Sequence, residues 1–451
     1  MVKIGLEIHG YLNTIEKLFC SCRVIHGKKF TKANVNICPI CTGQPGSKPL
    51  LPNSNAVKKA ILISLILGCR INGEVVWQRK HYSWPDLPKG FQSTISGPHA
   101  TPNGVDGKFM GIGIRECHIE EDPAAWNPLT GEIDYNRSGS PLIEIVTDPD
   151  FSSAEEVVSW LGNLFSALSY VKAIDKNSGL KADVNISIPG GKRVEIKNIN
   201  SLKKIKEAIE IEVLRQEKNL PRVEETRTYN EEKKVTTLMR TKDSAMDYRF
   251  ISEPDLPFLK IPEEVIKKMK NSIPELPQEK IKILIKKYKI DKTHAEILTK
   301  KSSLVELFEE TVKHVKPEIL IPWITVELLG VSNYNKIDVD EMEINPEHFT
   351  KLLLAVQDGK INELKAKEIL RKWIESSSDP SGEIDSGKTI SGAEIEKISK
   401  EVLAENKKAV EDYKSGEKSS INFLIGQVMK KTNKRADFNK TREVLEKILG
   451  K

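Results

Sequence analysis

The segment VKIGLEIHG, Val2 to Gly10, alternates apolar and polar side chains at every second position. In a strand, that alternation sends Val2, Ile4, Leu6 and Ile8 to one face and Lys3, Gly5, Glu7 and His9 to the other. The pattern recurs further on. In KADVNISI, Lys181 to Ile188, the apolar Ala182, Val184, Ile186 and Ile188 share a face opposite Lys181, Asp183, Asn185 and Ser187. In RVEIKNI, Glu195 and Lys197 lie together, and in GIGIRECHIEED, Glu116, His118 and Glu120 alternate with Arg115, Cys117 and Glu121. Strands that each carry a polar pair at i, i+2 would bring those pairs together if they shared a sheet.

A solvated sheet face accounts for any one such strand. Carboxylates and a histidine crowded on one face, however, repel or shift their pKa values unless a cation holds them. Mg²⁺ favours one or two carboxylates plus water and phosphate oxygens, which suits an ATP site. Lys80, Lys89, Arg137 and Lys197 read as lying in polar loops from which they could neutralise phosphates. These features suit a nucleotide site without choosing a reaction.

The chain has 451 residues, 39% hydrophobic and 30% charged, which describes a globular protein of several domains. Its longest apolar run, AILISLILGC from Ala60 to Cys69, falls short of the roughly 20 residues that span a bilayer and reads as a buried helix. No basic region precedes an apolar stretch and cleavage site at the N-terminus, so a cytoplasmic protein without a membrane segment is expected. A net charge of +6 does not by itself argue for nucleic acid. The final stretch, QVMKKTNKRADFNKTREVLEKILGK, carries eight Lys or Arg against three acids and could track a phosphate backbone. A solvated helical face explains the same run equally well.

Up to about residue 255, short strand patterns are bounded by turn residues such as Pro-Asn-Gly and Pro-Gly-Gly. One helical pattern, SAEEVVSWLGNLFSALSYVKAI, interrupts them, with Ser152 and Ser153 as candidate N-caps. After ISEPDLPFLKIPEE the texture turns to lysine-rich helices of period near 3.6. ESSSDPSGEIDSGK reads as a linker before a last helical module. Within it, GEIDSGKT, Gly382 to Thr389, matches the spacing of a phosphate-binding loop. It lacks the strand before it and places Glu383 and Asp385 inside the supposed cradle, so it is not read as a nucleotide site.

Four of the six cysteines form two close pairs, Cys20-x-Cys22 and Cys38-x2-Cys41, with fifteen residues between. That spacing fits a tetrahedral thiolate zinc site whose four ligands leave no open position, hence a structural one. Disulfides are the competing reading, disfavoured in a cytosolic setting. Cys69 and Cys117 read as core residues.

The motifs GLEIHGYL, CPICTGQPG, RKHYSWPDLPKGFQ, HIEEDPA, DYNRSGSPLIEIVTDPD, VEIKNINSLK, TRTYNEE and RTKDSAMDYRFISEPDLP closely resemble the B subunit family of tRNA-dependent aspartyl/glutamyl-tRNA amidotransferases. NKKAVEDYKSGEKSSINFLIGQVMKKT resembles that family's tRNA-binding tail. The resemblance covers essentially the whole chain. It departs at DPAAW, where many relatives have Asp-Ala-Gly-Lys, and at QSTISGP, where Gln-Ile-Ser/Thr-Gln is usual. The E subunit of the archaeal glutamine-only enzyme shares the catalytic motifs but carries an inserted domain for which this chain has no room.

The resemblance implies an α+β fold: an N-terminal mixed β-sheet cradle, the catalytic domain, with a zinc knuckle over residues 1–258. An all-α helical domain over 259–375 and an α-helical, tRNA-binding tail domain over 376–451 would follow. It implies a heterotrimer with an amidase (A) subunit and a small C subunit, ATP and Mg²⁺ as reaction partners, structural Zn²⁺, and misacylated tRNA as substrate. Glu or Asp misattached to tRNA-Gln or tRNA-Asn would be phosphorylated on its side-chain carboxylate and then amidated with ammonia from glutamine. Carried over by motif, Glu7, His9, Glu120 and Glu121 form the catalytic set, and Glu7, His9, Glu121 and Glu144 hold magnesium. Lys80, Arg137, Asp183, Asn185 and Lys197 bind nucleotide, while Cys20, Cys22, Cys38 and Cys41 hold zinc. No Gly-Gly-Ser-Ser-Gly signature or N-terminal nucleophilic cysteine is present, so the chain is not expected to release ammonia alone. The rival classes are a zinc-containing RNA-binding assembly module without catalysis and a free-standing amide ligase for a small metabolite.

Overall fold

The computed structural model of the chain describes residues 1–25, 32–175, 180–241 and 248–450. These fall into two compact units, Met1–Leu276 and Pro277–Lys451. The first is built on a 12-stranded sheet. Its main path uses ten strands: β1 (Lys3–Tyr11), β2 (Gln78–His81), β3 (Phe91–Thr94), β4 (Ile112–Glu121), β5 (Pro141–Thr147), β6 (Leu180–Ser187), β7 (Val194–Ile199), β8 (Glu225–Asn230), β9 (Val235–Thr241) and β10 (Arg249–Ser252). They lie in the order β9-β8-β7-β6-β1-β5-β4-β3-β2-β10. All neighbours on this path are antiparallel except β7 and β8, so the sheet is mixed, as the resemblance implies.

Alternation explains which face is which. Ile4, Leu6 and Ile8 of β1 are fully buried, together with Val184 and Ile186 of β6, Ile143 and Ile145 of β5, and Cys117 and Ile119 of β4. Three helices pack on that core: α1 (Ser54–Ile66), α2 (Ala154–Tyr170) and α3 (Leu202–Lys218). Helix α2 starts where the sequence indicates: the Ser153 hydroxyl accepts the Glu156 N–H, and Ser152 donates to the Glu156 carboxylate. Such a cap contributes about 1 kcal/mol, and each of the buried Val157, Leu161, Leu164 and Leu168 contributes about 1.5–3 kcal/mol by leaving water. Cys69 and Cys117 are buried core residues, as expected. With helices filling one face, the other is left to the polar side chains.

The second unit is helical throughout its regular elements and has two hydrophobic clusters. One gathers Leu284, Phe308, Trp323, Phe349 and Trp373; the other gathers Ile390, Ile395, Leu424, Val428 and Leu445. The stretch read as a linker is partly ordered: Ser381–Ser386 is a short helix, and its Ile384 packs on the first cluster. This helix overlaps the first five residues of the GEIDSGKT motif, and Lys388 pairs with Asp385 at 3.0 Å, so no strand-loop-helix phosphate cradle forms there. No helix among the described residues is long and apolar enough to cross a membrane.

Candidate active site and cysteine cluster

Strand β1 lies between β5 and β6, and pairing register fixes what faces Glu7 and His9. Glu7 is opposite Asp183 of β6, His9 is opposite Glu144 of β5, and Glu144 is in turn opposite His118 of β4. Side chains of cross-strand partners share a face, so the polar positions of these four strands assemble in one row, which Glu195 of β7, opposite Asn185, extends to a fifth. Two donor groups result. The ligand atoms of His9, Glu120 and Glu144 lie within 4.8 Å of one another, as do those of Glu7, Asp183 and Glu195.

In the first group, Glu144 Oε2 receives His9 Nε2 at 3.3 Å and His118 Nε2 at 3.2 Å. Burial opposes charge on His9, but its hydrogen bond to Glu144 and the Glu144 charge outweigh it and raise the imidazole pKa to about 9. His118 follows the same logic and reaches about 10, helped by the Glu116 carboxylate 3.0 Å from its Nδ1. That nitrogen has charge attraction without hydrogen-bond alignment. Burial pushes the Glu144 carboxyl up, and the two imidazoliums carry it well below the usual carboxylate range.

In the second group, Lys197 Nζ sits 2.6 Å from Asp183 Oδ2 and also pairs with Glu195. The ladder between β6 and β7 shifts register between Ala182 and Val184, which sets Asp183 against two residues of β7. Asn198 there adopts a left-handed φ of +59° and donates its N–H to Asp183 Oδ1 at 2.7 Å. This bulge turns Lys197 back over the two acids. Burial, then the neighbouring Glu144 charge, raises the Glu7 carboxyl. Asn185 Nδ2 donates to Glu7 Oε1 at 3.2 Å, while the buried Asn185 Oδ1 has no partner among the described residues.

The remaining candidates sit elsewhere. Glu121 is on the opposite parity of β4 from Glu120; it pairs with Lys89 and accepts the Ser93 N–H at 3.0 Å, outside both donor groups. Lys80 and Lys197 are strand residues, on β2 and β7, not loop residues as read from sequence; Lys80 Nζ lies 4.9 Å over the Tyr248 ring. Arg137 lies outside the strands and pairs with Asp122 at 2.9 Å. Asp122 also accepts the hydroxyl of Tyr11, and burial pushes its carboxyl up to about 6 against the pull of Arg137. His118 and Glu195 belong to the row although the motifs do not single them out. Their i, i+2 spacing to Glu120 and Lys197 is the sequence signal for both.

The four cysteines Cys20, Cys22, Cys38 and Cys41 are unbridged, and their sulfur atoms lie within 4.8 Å of one another. Hydrogen bonding with Cys20 pulls the Cys41 thiol down to about 4 against burial, aided by the Cys38 N–H at 3.2 Å and the charge of Lys17. Lys17 is itself buried, held by the carbonyls of Asn36 and Tyr135 at 3.2 Å each. Gly43, at φ +64°, lets the knuckle press on the turn before Lys89: a Cβ there would lie 2.4 Å from the Pro88 carbonyl oxygen. A thiolate set of this shape fits a closed zinc site, and the oxygen-rich group with the unpartnered Asn185 Oδ1 fits a hard divalent cation.

Comparison with known proteins agrees with this architecture. Residues 2–267 match the GatB/GatE catalytic domain, and residues 306–449 match the GatB domain. The B subunit of an aspartyl/glutamyl-tRNA(Asn/Gln) amidotransferase from Methanothermobacter thermautotrophicus is 41% identical, over 99% of this chain and 99% of that protein. The protein of the same name from Methanocaldococcus jannaschii is 40% identical over 100% and 98%, and that from Methanobrevibacter smithii 40% over 98% of each. The chain therefore belongs to the family of aspartyl/glutamyl-tRNA amidotransferase B subunits.

Proposed function

We propose that this chain is the ATP-dependent activating subunit of a tRNA-dependent amidotransferase, converting Glu-tRNA(Gln), Asp-tRNA(Asn) or both to the amide. The observation that carries the proposal is the polar row across β4, β5, β1, β6 and β7, where two donor groups share one face of a sheet whose other face is packed. Bound magnesium would neutralise phosphate charge on ATP, held from Glu7, Glu120, Glu144 and a His9 that gives up its proton on binding, with Asp183 and Glu195 beside them. The charge of Lys197, delivered by the bulge, would lie against the transferring phosphate. The substrate carboxylate attacks the γ-phosphorus as ADP leaves, giving an acyl phosphate. Ammonia then displaces phosphate at the acyl carbon. A carboxylate oxygen is a poor leaving group and phosphate a good one, so the chain's contribution is positioning and charge stabilisation.

His9 and His118 hold Glu144 in one orientation, which keeps its free electron pairs directed along the row. Lys80, Lys89 and Arg137 would guide phosphates toward it. We propose the cradle over 1–258 for catalysis, the helical module over 259–375 as a spacer, and the tail over 376–451 for the tRNA body. The relatives are named as one subunit among several, which supports a multi-subunit enzyme; an amidase subunit and a small C subunit are the proposed partners. Zinc in the cysteine cluster would be structural. The test is amide formation by the co-expressed complex, with and without Glu-tRNA(Gln). Turnover that needs tRNA and vanishes in Glu7→Ala supports the proposal; ATP turnover indifferent to both overturns it and leaves an RNA-binding module.

A further inference from the structure

We infer that the cavity beside Trp126 binds a nucleobase carrying an exocyclic amine. The cavity measures about 480 Å³ and its lining includes Asn34, Trp126, Asn127, Glu132 and Asp134. That volume is within the range small ligands occupy. Its frame is a two-stranded ribbon, Ala125–Trp126 against Ile133–Asp134, closed by a hydrogen bond of 2.9 Å from Asn127 N–H to the Glu132 carbonyl. Trp84 stands edge to face with Trp126, ring centroids 5.7 Å apart, and keeps 45% of its surface exposed. The Trp126 indole in the lining, with Trp84 packed against it, offers a stacking surface, and any base has a π-face to place on it.

The polar lining decides which end of a nucleotide enters. The carboxylates of Glu132 and Asp134 accept hydrogen bonds and repel phosphate, so they select a base, and among bases one that donates an amine. Asp134 Oδ1 is already fixed by the backbone N–H groups of Asn34 and Asn136 at 3.0 Å each, which orients the carboxylate. The cavity is also tied to the polar row. Ala124 N–H donates to the Asp86 carbonyl at 2.8 Å, Arg137 donates to the Ala124 carbonyl at 2.7 Å, and Arg137 pairs with the Asp122 that receives Tyr11 of β1.

The inference rests on the nucleotide substrates proposed above, two of which carry adenine: ATP and the 3′-terminal nucleotide of tRNA. The experiment uses the assembled complex as wild type, Trp126→Ala, Trp126→Phe and Trp84→Ala. ATP affinity is measured by equilibrium dialysis, and tRNA affinity by filter binding of deacylated tRNA, either intact or lacking its last nucleotide. Loss of a stacking face is expected to weaken one ligand about tenfold, with Trp126→Phe retaining most of the affinity. Weakening confined to ATP assigns its base to the cavity; weakening of intact but not shortened tRNA assigns the terminal nucleotide. Unchanged affinities for both ligands, an equal loss in the Phe and Ala variants, or an equal loss on intact and shortened tRNA overturns the inference. If Trp126→Ala does not fold, Trp84→Ala, which removes the ring packed on Trp126, carries the test through the loss of that ring's support. A wild-type complex that forms no amide defeats the proposed function; active wild type with unaltered binding in the variants defeats only the base site.

Discussion

His9 and His118, on strands that are not neighbours in the sheet, direct their Nε2 atoms at one oxygen, Glu144 Oε2, from 3.3 and 3.2 Å. Each imidazole keeps its charge because of that carboxylate, and the carboxylate keeps its own because of them. Removing Glu144 leaves two partly or fully buried positive rings facing each other with no charge between them. Glu144→Gln is expected to lower amide formation at least about tenfold and to destabilise the first unit by roughly 3 kcal/mol, the scale for breaking a buried charge pair. Thermal melts and single-turnover assays on the complex check both; unaltered melting contradicts the reading of Glu144 as the centre of the group.

The same pair sets a pH dependence in metal-free protein. Both folded-state pKa values lie above the ordinary 6.5, at about 9 and about 10. Their stabilising contribution is therefore fully present below pH 6.5 and is lost as pH rises through 9 to 10. Melting temperature in a chelator should fall by several degrees across that window and fall less in Glu144→Gln. A flat profile in wild type contradicts the assignment.

Lys197 brings a cation to both Asp183 and Glu195. Lys197→Met is expected to leave three acids, Glu7 included, in mutual repulsion, so the variant should melt lower than wild type in a chelator. Added Mg²⁺ should recover more of the loss than it gives to wild type, while the KM for ATP rises about tenfold as a phosphate contact is removed. A variant whose stability ignores Mg²⁺ would place the metal elsewhere.

Much of this site is legible from alternation alone, and its exceptions have identifiable causes. Glu7 and His9 show themselves because β1 is regular and its apolar positions are fully buried. Motif groups Glu121 with Glu7, although its parity sends it away from Glu120; the fold follows parity and ties it to Lys89. The bulge at Asp183 is invisible in sequence, since a register shift depends on the partner strand and on Asn198 accepting a left-handed backbone. Lys197 reads both as the strand partner of Glu195 and as a loop residue, because its strand is short and its ladder to β6 shifts register there. The short helix at Ser381–Ser386 is masked by its composition, in which Ser, Asp and Gly dominate and a single Ile384 supplies the anchor.

For the cysteine cluster, the purified chain is expected to carry a single zinc ion, measured by elemental analysis. Cys38→Ser should lose the metal and lower the melting temperature by several degrees, because thiolate ligation supplies folding free energy. Full zinc retention in that variant contradicts a four-sulfur site.

The central claim is that this chain activates a carboxylate on tRNA with ATP at the polar row, a step separable from ammonia supply. Hydroxylamine, added in place of glutamine, attacks an acyl phosphate directly and records its formation as a hydroxamate on tRNA. With Glu-tRNA(Gln) and Mg-ATP, the wild-type complex is expected to form hydroxamate, and Glu7→Ala to form at least about a hundredfold less while tRNA binding is retained. Equal hydroxamate from both, or none from wild type under conditions where tRNA is bound, contradicts the account.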